Sequence, residues 1–360
     1  MKIGILTHYQ VESHGALLQH YALTEYLRQC GHEVYTLTYP KSLDFANRHE
    51  QKKFAVGIRS VPFYLKEYLV KKGPSFVWTM ARKHFLLRKF NKAHFSFLSY
   101  ADCNADIAVI GSDEVWSIQL GANMMMYGHG VDAKKLISYA PSFGQTTPED
   151  IAAHRCTALV RSGLNMFDEI SVRDLAARDI VRGFTGREVP VVCDPVLLYG
   201  FDRELSQSRK MTKRKYVVVY GYNSNMNEPD RIDAIRKYAK SIGAKVYSVG
   251  AFHKWCDKQI CCDPIEMLYW FQGAEAVFTD TFHGTIAAFL GKTPMAVYVR
   301  STNNVKLDHL LSVLGLESRK VSENRDIETI LAEPLDFEER RRLLEPYQQE
   351  SAAWLKQTLQ

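Results

Sequence analysis

The sequence predicts an α/β protein made of two doubly wound, Rossmann-like domains that face each other across a cleft. Short apolar runs of strand length alternate with segments of helical period along most of the chain. Nearly every apolar run ends in small or polar residues, as strands do when a crevice lies beyond their carboxyl ends. A polar, basic interval at residues 202–215 divides the alternation into two series, and 360 residues suffice for two domains of roughly 100 to 200 residues each. The expected division is residues 1–200 with a helical insertion at 44–100, residues 201–335, and a terminal helix at 336–360 that packs back across the chain.

The opening segment, KIGILTHYQVESHGALLQHYALTEYLRQCGHEVYTLTY, reads as a strand, a glycine-bearing loop, a helix and a second strand after Gly31. The helix carries Leu17, Leu18, Tyr21, Ala22 and Leu27 as its apolar positions. Parallel strands need such a crossover, which puts residues 7–15 at the crevice. Residues 44–100 are basic, aromatic and helical in period, and read as inserted helices outside the sheet. Four later runs then end in chemistry-bearing residues: DIAVIGSDEVW in Gly111, Ser112 and Asp113, LISYAPSFG in Ser142 to Gly144, EISVRD in Arg173 and Asp174, and VPVVCDPVLL in Asp194 and Pro195.

After the interval at 202–215 the order repeats. KYVVVYGYN, AKVYSVG, AVFTD and PMAVYV read as strands, and EPDRIDAIRKYAKSIG, DPIEMLYWFQGA and HGTIAAFLG as the helices between them. No internal repeat of 20 to 50 residues points to a solenoid. Two facing domains of this kind form the GT-B-like arrangement of many transferases.

Composition excludes several classes. No run approaches the roughly 18 to 20 apolar residues that span a membrane, and Met1 leads straight into a strand without a signal-peptide pattern, so a cytoplasmic protein is expected. Seven cysteines, an odd number in a long chain, fit reduced thiols. His253, Cys256, Cys261 and Cys262 lack the two-residue knuckle spacing of a metal site, read as a cysteine-rich loop, and leave no metal expected. A net charge of +6 is moderate and no nucleic-acid module is present, so no nucleic-acid partner is expected. The segment RKHFLLRKFNKAH (residues 82–94) gathers cations and aromatics on one helix, either as a solvated face or as a surface for an anion such as a lipid headgroup or diphosphate.

His283 is the residue that core building does not require. It stands where a buried strand turns into an apolar helix, with Asp280 or Thr281 as the cap and Gly284 and Thr285 in the first turn. Free backbone N–H groups and the positive dipole end make that turn an anion site, and imidazole suits proton transfer near neutral pH. Asp113 at the end of a buried strand is placed to accept a hydroxyl proton, and Arg173 to fork onto a carboxylate or phosphate. Ser112, Ser142 and Thr285 are expected as hydrogen-bonding members of the pocket, and Arg300 and Lys306 as added positive charge.

Seven stretches, taken in order, resemble the polysaccharide pyruvyl transferase family over about residues 1–320: HGALLQHYAL, IGSDEVW, SYAPSFG, ISVRD, CDPVLL, TDTFHGT and LDHLLSVLGLESR. The resemblance implies a GT-B-like fold and a reaction that attaches pyruvate from phosphoenolpyruvate, as donor substrate and without a cofactor, to a sugar of a cell-surface glycan such as an exopolysaccharide or capsule. It implies His283 as the functional histidine, Arg173 as the donor-binding arginine and Asp113 as the acid near the reacting groups. Two positions depart from the pattern: Thr281 replaces a serine but keeps its hydroxyl, and the region of Ser13 lacks an asparagine. The expected partners are phosphoenolpyruvate and a glycan acceptor, with a lipid diphosphate carrier and peripheral contact at the inner membrane face favoured by residues 82–94. A GT-B nucleotide-sugar glycosyltransferase and a non-catalytic glycan- or anion-binding homologue are the rival readings.

Overall fold

The N-terminal apolar runs pair in one parallel six-stranded sheet, in the order β3-β2-β1-β4-β5-β6. The strands are β1 Lys2–Leu6, β2 Glu33–Thr38, β3 Phe97–Ser99, β4 Ala105–Ile110, β5 Ala133–Ser138 and β6 Glu169–Ile170. The structure is a computed structural model that describes residues 1–40, 73–119, 122–301 and 303–360. Helices of this half are α1 His14–Gln29, α2 Pro74–His94, α3 Pro148–Ala153, α4 Thr157–Leu164, α5 Leu175–Thr185, α6 Pro195–Tyr199 and α7 Asp202–Ser206.

The second half forms a parallel five-stranded sheet in the order β11-β10-β7-β8-β9. Its strands are β7 Tyr216–Tyr220, β8 Lys245–Val249, β9 Lys258–Ile260, β10 Val277–Thr279 and β11 Met295–Val297. Its helices are α8 Pro229–Ser241, α9 Pro264–Gln272, α10 Phe282–Leu290, α11 Asn304–Val313 and α12 Ile327–Ala332. Strand β7, YVVVY, is buried at every residue, as a central parallel strand covered on both faces must be.

Both strand orders reverse once, between β1 and β4 in the first sheet and between β7 and β10 in the second. Crevices in doubly wound sheets open beyond the carboxyl ends of the strands at such points. The loops there are residues 7–13 with 111–113 on one side and residues 221–228 with 280–281 on the other, so topology alone delivers Asp113 and His283 to the inter-sheet region.

Helix α13, Phe337–Thr358, returns to the first sheet. Its Ser351 Oγ accepts from the Cys193 N–H at 3.0 Å, its Gln348 Nε2 donates to the Leu197 carbonyl at 2.6 Å, and Lys135 Nζ reaches the Thr358 carbonyl at 2.5 Å.

Several readings change. Residues 97–99, assigned to the insertion, are an edge strand that pairs with β2; its residues are exposed or half-buried, so no buried apolar run marks it in the sequence. Of the rest of that insertion, residues 74–94 are α2, and 44–72 lie outside the described residues. The run before Asp194 makes only one bridge, Val191 with Val172, since Pro190 has no N–H to give to a ladder. The interval at 202–215 starts with α7, whose buried Glu204 accepts from Tyr21 Oη at 3.0 Å and Tyr199 Oη at 2.8 Å. Strand β9 falls within the segment expected to be a cysteine-rich loop.

The two halves interlock through histidines. His14, at the start of α1, buries its ring against Gly250 beyond β8, where an added methyl would stand 2.7 Å from Cε1. His14 Nε2 donates to the Cys262 carbonyl at 2.8 Å, and burial, reinforced by the Lys83 charge, pushes its pKa down to about 3, so the ring is neutral. In return His283 lies against Gly15, where an added methyl would meet Nδ1 at 2.5 Å. Gly250 also has φ +68°, which disfavours a side chain. Gly250→Ala is therefore expected to lower the urea unfolding free energy by about 1 to 3 kcal/mol. Gly183→Ala, at an open position inside α5 with nothing within 4 Å, is expected to raise it by up to about 1 kcal/mol.

Candidate active site

The site is built around Asp194. Asp194 precedes Pro195, which has no N–H for a ladder but fits the first turn of a helix, and it caps α6, accepting from the Val196 N–H at 2.9 Å. Its Oδ2 stands 3.0 Å from Arg173 Nη1 and 3.5 Å from His283 Nε2, with the Asp194 side chain 0% and the Arg173 side chain 4% exposed. The 3.5 Å separation is a charge contact rather than a well-formed hydrogen bond, and Nε2 is buried without a better partner among the described residues. Burial works to raise the Asp194 pKa, but the His283 and Arg173 charges opposite it prevail and hold it below the usual carboxylate range.

Arg173 spreads its fork across two acids. Nη2 stands 3.4 Å from Asp113 Oδ1, and Cζ lies 4.8 Å from the centroid of the Phe282 ring, the first residue of α10. The Asp113 backbone is left-handed, φ 77°, following Gly111, where an added methyl would meet the Tyr139 carbonyl oxygen at 2.3 Å. That turn aims the carboxylate at the cleft instead of along β4. Burial would raise its pKa, yet Arg173 first, then His283, His8 and Lys306, hold it at about 2. Asp113 is ionised throughout the neutral range.

His283 sits one residue into α10. Thr281 is the N-cap, and its Oγ1 accepts from the Gly284 N–H at 3.0 Å. Gly284 has no room for a side chain, since a methyl would meet Thr279 Oγ1 at 2.2 Å. The N–H groups of Phe282 and His283 precede the first internal bond of the helix and face the positive end of its dipole.

A cleft of about 960 Å³ joins these groups. Its walls come from both sheets: His8, Ser13, Asp113 and Arg173 from one, Tyr222, Thr281, His283 and Arg300 from the other, with Met80 and Lys83 of α2 across the mouth. Arg300 Nε pairs with the buried Asp280 at 2.9 Å, and Lys306 Nζ with Glu114. Tyr222, 61% exposed at the cleft, keeps its phenol proton, its pKa being raised by partial desolvation and by the nearby Asp113 and Glu114 charges.

Of the residues singled out by sequence, Asp113, Arg173, Thr281, His283, Arg300 and Lys306 line this cleft. Ser112, Ser142 and Thr285 are buried and turned elsewhere. Ser112 Oγ donates to Gln19 Oε1, Ser142 Oγ accepts from the Gly144 N–H at 3.0 Å, and Thr285 Oγ1 donates to the Thr281 carbonyl at 3.0 Å. They shape the loops that carry the site. His253, from the cysteine-rich loop, engages Ser248 Oγ at 2.8 Å and the Tyr222 and Asn225 carbonyls at 3.2 and 3.1 Å.

Sequence reasoning missed three contributors. Asp194 was visible as a lone acid before a proline, but nothing local tells that its oxygen faces a histidine 89 positions away. Gly15 was visible only as a loop glycine, and Lys83 only as one cation in a basic helix.

A family model described as polysaccharide pyruvyl transferase matches residues 14–302. No curated protein matches the sequence. Among solved structures, the glycotransferase of kitacinnamycin is 15% identical, with 99% of each chain covered and a TM-score of 0.50. A putative UDP-N-acetylglucosamine 2-epimerase from Listeria monocytogenes is 12% identical, covering 97% of this chain and 91% of the other at a TM-score of 0.48. At 15% identity the likeness to the first of these shows the fold alone, which is GT-B.

The buried acids fix a pH dependence. A carboxylate whose pKa is lower folded than unfolded binds more protons in the unfolded chain, so its contribution is complete above about pH 4 and fades below it. The urea midpoint is expected to fall from about pH 4 toward the Asp113 pKa of about 2, and Asp113→Asn to flatten part of that fall. Asp194→Ala, which strips Arg173 of its closest partner, is expected to cost about 3 to 5 kcal/mol at neutral pH in the same measurement.

Proposed function

This chain belongs to the polysaccharide pyruvyl transferase family, and we propose that it moves a pyruvyl group from phosphoenolpyruvate to two hydroxyls of one sugar in a cell-surface glycan or its precursor. The observation that carries this reading is the meeting of Arg173 and His283, from opposite sheets, on one carboxylate oxygen beside one cleft. The cleft volume lies at the upper end of the roughly 300 to 1,000 Å³ of single-ligand pockets, so it has room for a small donor and a sugar together.

The donor brings a phosphate and a carboxylate, and needs anchors for both. Arg173 supplies a planar fork, the start of α10 supplies free N–H groups, and Arg300 and Lys306 stand at the same cleft as further cations. On donor binding, an anionic group of phosphoenolpyruvate takes the Arg173 donors that face Asp113. Arg173 stays tied to Asp194, which keeps the fork in plane.

Ketal formation then proceeds without a redox cofactor. The methylene carbon gains a proton, one acceptor hydroxyl bonds to C2 and loses its proton, the C2–phosphate bond breaks, and a second hydroxyl bonds to the same carbon while its proton passes to the released phosphate. The products are the ketal, with one carboxylate, and hydrogen phosphate. His283 is the proton donor, to the methylene carbon or to the departing phosphate; its Nε2 faces Asp194 at 3.5 Å, and Nδ1, beside Gly15, is the nitrogen that exchanges protons with ligand. Asp113, released from Arg173, receives the hydroxyl hydrogen bond and orients the nucleophile. A carboxylate with a pKa of about 2 is a weak base, and it gains strength only when Arg173 turns to the donor.

The acceptor on this reading is carried by a lipid diphosphate, and the enzyme works in the cytoplasm at the inner face of the membrane. The binding test is calorimetric titration with phosphoenolpyruvate against UDP- and GDP-sugars. Saturable binding of phosphoenolpyruvate alone is expected, and tighter binding of a nucleotide sugar would overturn the reading. With an acceptor in hand, His283→Ala is expected to reduce phosphate release by about 10² to 10⁴ under conditions where the variant is folded, and to lower the urea midpoint because the ring also packs against Gly15 and faces Asp194. Arg173→Lys, which keeps charge but loses the fork, is expected to raise KM for phosphoenolpyruvate more than it lowers kcat.

A further inference from the structure

Helix α2 has two unlike faces. Inward, Phe76, Leu87 and Phe90 are buried. Phe76 packs edge-on against Phe252 of the second half at 5.3 Å, and Asn91 Nδ2 donates to the Tyr9 carbonyl of the first at 2.7 Å. The helix is thus clamped to both sheets, and its Met80 and Lys83 line the cleft.

Outward, Trp78, Arg82, Phe85, Lys89 and Lys92 follow one another at alternating steps of four and three residues, which stacks them in one stripe. Trp78 is 61% and Phe85 66% exposed, the two most exposed aromatics in this helix, and Arg82, Lys89 and Lys92 are exposed around them. Arg82 lies 5.3 Å from the centroid of the Trp78 ring, so ring and charge present one surface. The helix sequence holds five Lys and Arg residues and no Asp or Glu. Of the acids near it on neighbouring elements, Glu12 is taken by His84 at 2.7 Å, and Asp263, Glu25 and Glu204 stand by His94 at the C-terminal end, away from the Trp78–Phe85 stretch.

Large aromatics exposed on a rigid helix are out of place in water, and their interleaving with cations matches the boundary between acyl chains and anionic headgroups. Nucleic acid asks for a groove-shaped or single-strand-tracking basic surface with base-stacking partners, and the convex side of one helix offers neither. We propose that the outward face of α2 seats this protein on an anionic bilayer, with Trp78 and Phe85 in the interface and Arg82, Lys89 and Lys92 on the headgroups. The inward face of the same helix then holds the cleft mouth close to that surface. This last consequence, delivery of a membrane-held acceptor, rests on the pyruvyl transfer reading; the seating itself does not.

The test is co-sedimentation of the full chain with phosphatidylcholine vesicles, with and without phosphatidylglycerol. Binding is expected only with phosphatidylglycerol and is expected to fall as salt rises. Arg82→Gln with Lys89→Gln should weaken partitioning about 30-fold, given about 1 kcal/mol per cation near such a surface. Trp78→Ser with Phe85→Ser should weaken it at least about 10-fold. All four side chains are exposed, so an unchanged urea midpoint checks folding. Brominated phosphatidylglycerol should quench tryptophan emission in the wild type and quench it much less in Trp78→Phe. Equal binding to both vesicle types, variants that bind like the wild type, or tighter capture by duplex DNA at the same salt would each overturn the proposal. If phosphoenolpyruvate still binds in that event, only the seating falls; vesicle binding without phosphoenolpyruvate binding leaves the seating and removes the transferase reading.

Discussion

One carboxylate oxygen, Asp194 Oδ2, is shared by a guanidinium from the first sheet and an imidazole from the second, and the geometry of the cleft depends on it. A buried carboxylate is costly to desolvate, and only close opposite charge with satisfied lone pairs offsets that cost. Asp194 has both, since its other oxygen caps α6. The adjoining backbone is pinned from two sides, by Ser351 of α13 on the Cys193 N–H and by Tyr139 Oη on the Cys193 carbonyl at 3.0 Å. The terminal helix therefore acts on the site without touching the cleft there: it fixes the acid that aligns Arg173 and faces His283.

The same residues that join the sheets also serve the site. His14 and His283 cross the interface in opposite directions, each against a glycine of the other half. A single apolar cluster continues beneath them, from Ile3 and Leu17 to Val218 and Ile286. The halves share a core as well as a rim of polar contacts, and the charged groups of the cleft are held in place by packing. Helix α2 adds a brace across the cleft mouth, anchored at one end to Phe252 and at the other to Tyr9.

Much of this was legible because strand ends are legible. Apolar runs that stop in Gly-Ser-Asp, Arg-Asp or Thr-Asp-Thr-Phe-His announce a crevice, and the reversal of strand order puts those ends together. The edge elements were not legible: β3 and β9 are mostly unburied and carry no buried apolar run, unlike the equally short but fully buried β10 and β11, and Val191 makes a lone bridge. Side-chain direction was also hidden. Ser112, Ser142 and Thr285 occupy the right loops but face inward: Ser142 and Thr285 bond to backbone groups two and four residues away, and Ser112 to the Gln19 amide of α1. Asp194 was hidden for the opposite reason, its local role as a helix cap being complete without the long-range pair it also makes.

The central claim is that an enol phosphate is gripped between Arg173 and the opening of α10, with Asp194 behind both. The most direct measurement is an experimental structure of the protein soaked in phosphoenolpyruvate. The account predicts donor density against the Arg173 fork and the Phe282 and His283 N–H groups, with Asp113 freed from Arg173 and Asp194 still against His283. Donor density away from these groups, or none at a concentration that saturates binding in solution, would contradict it.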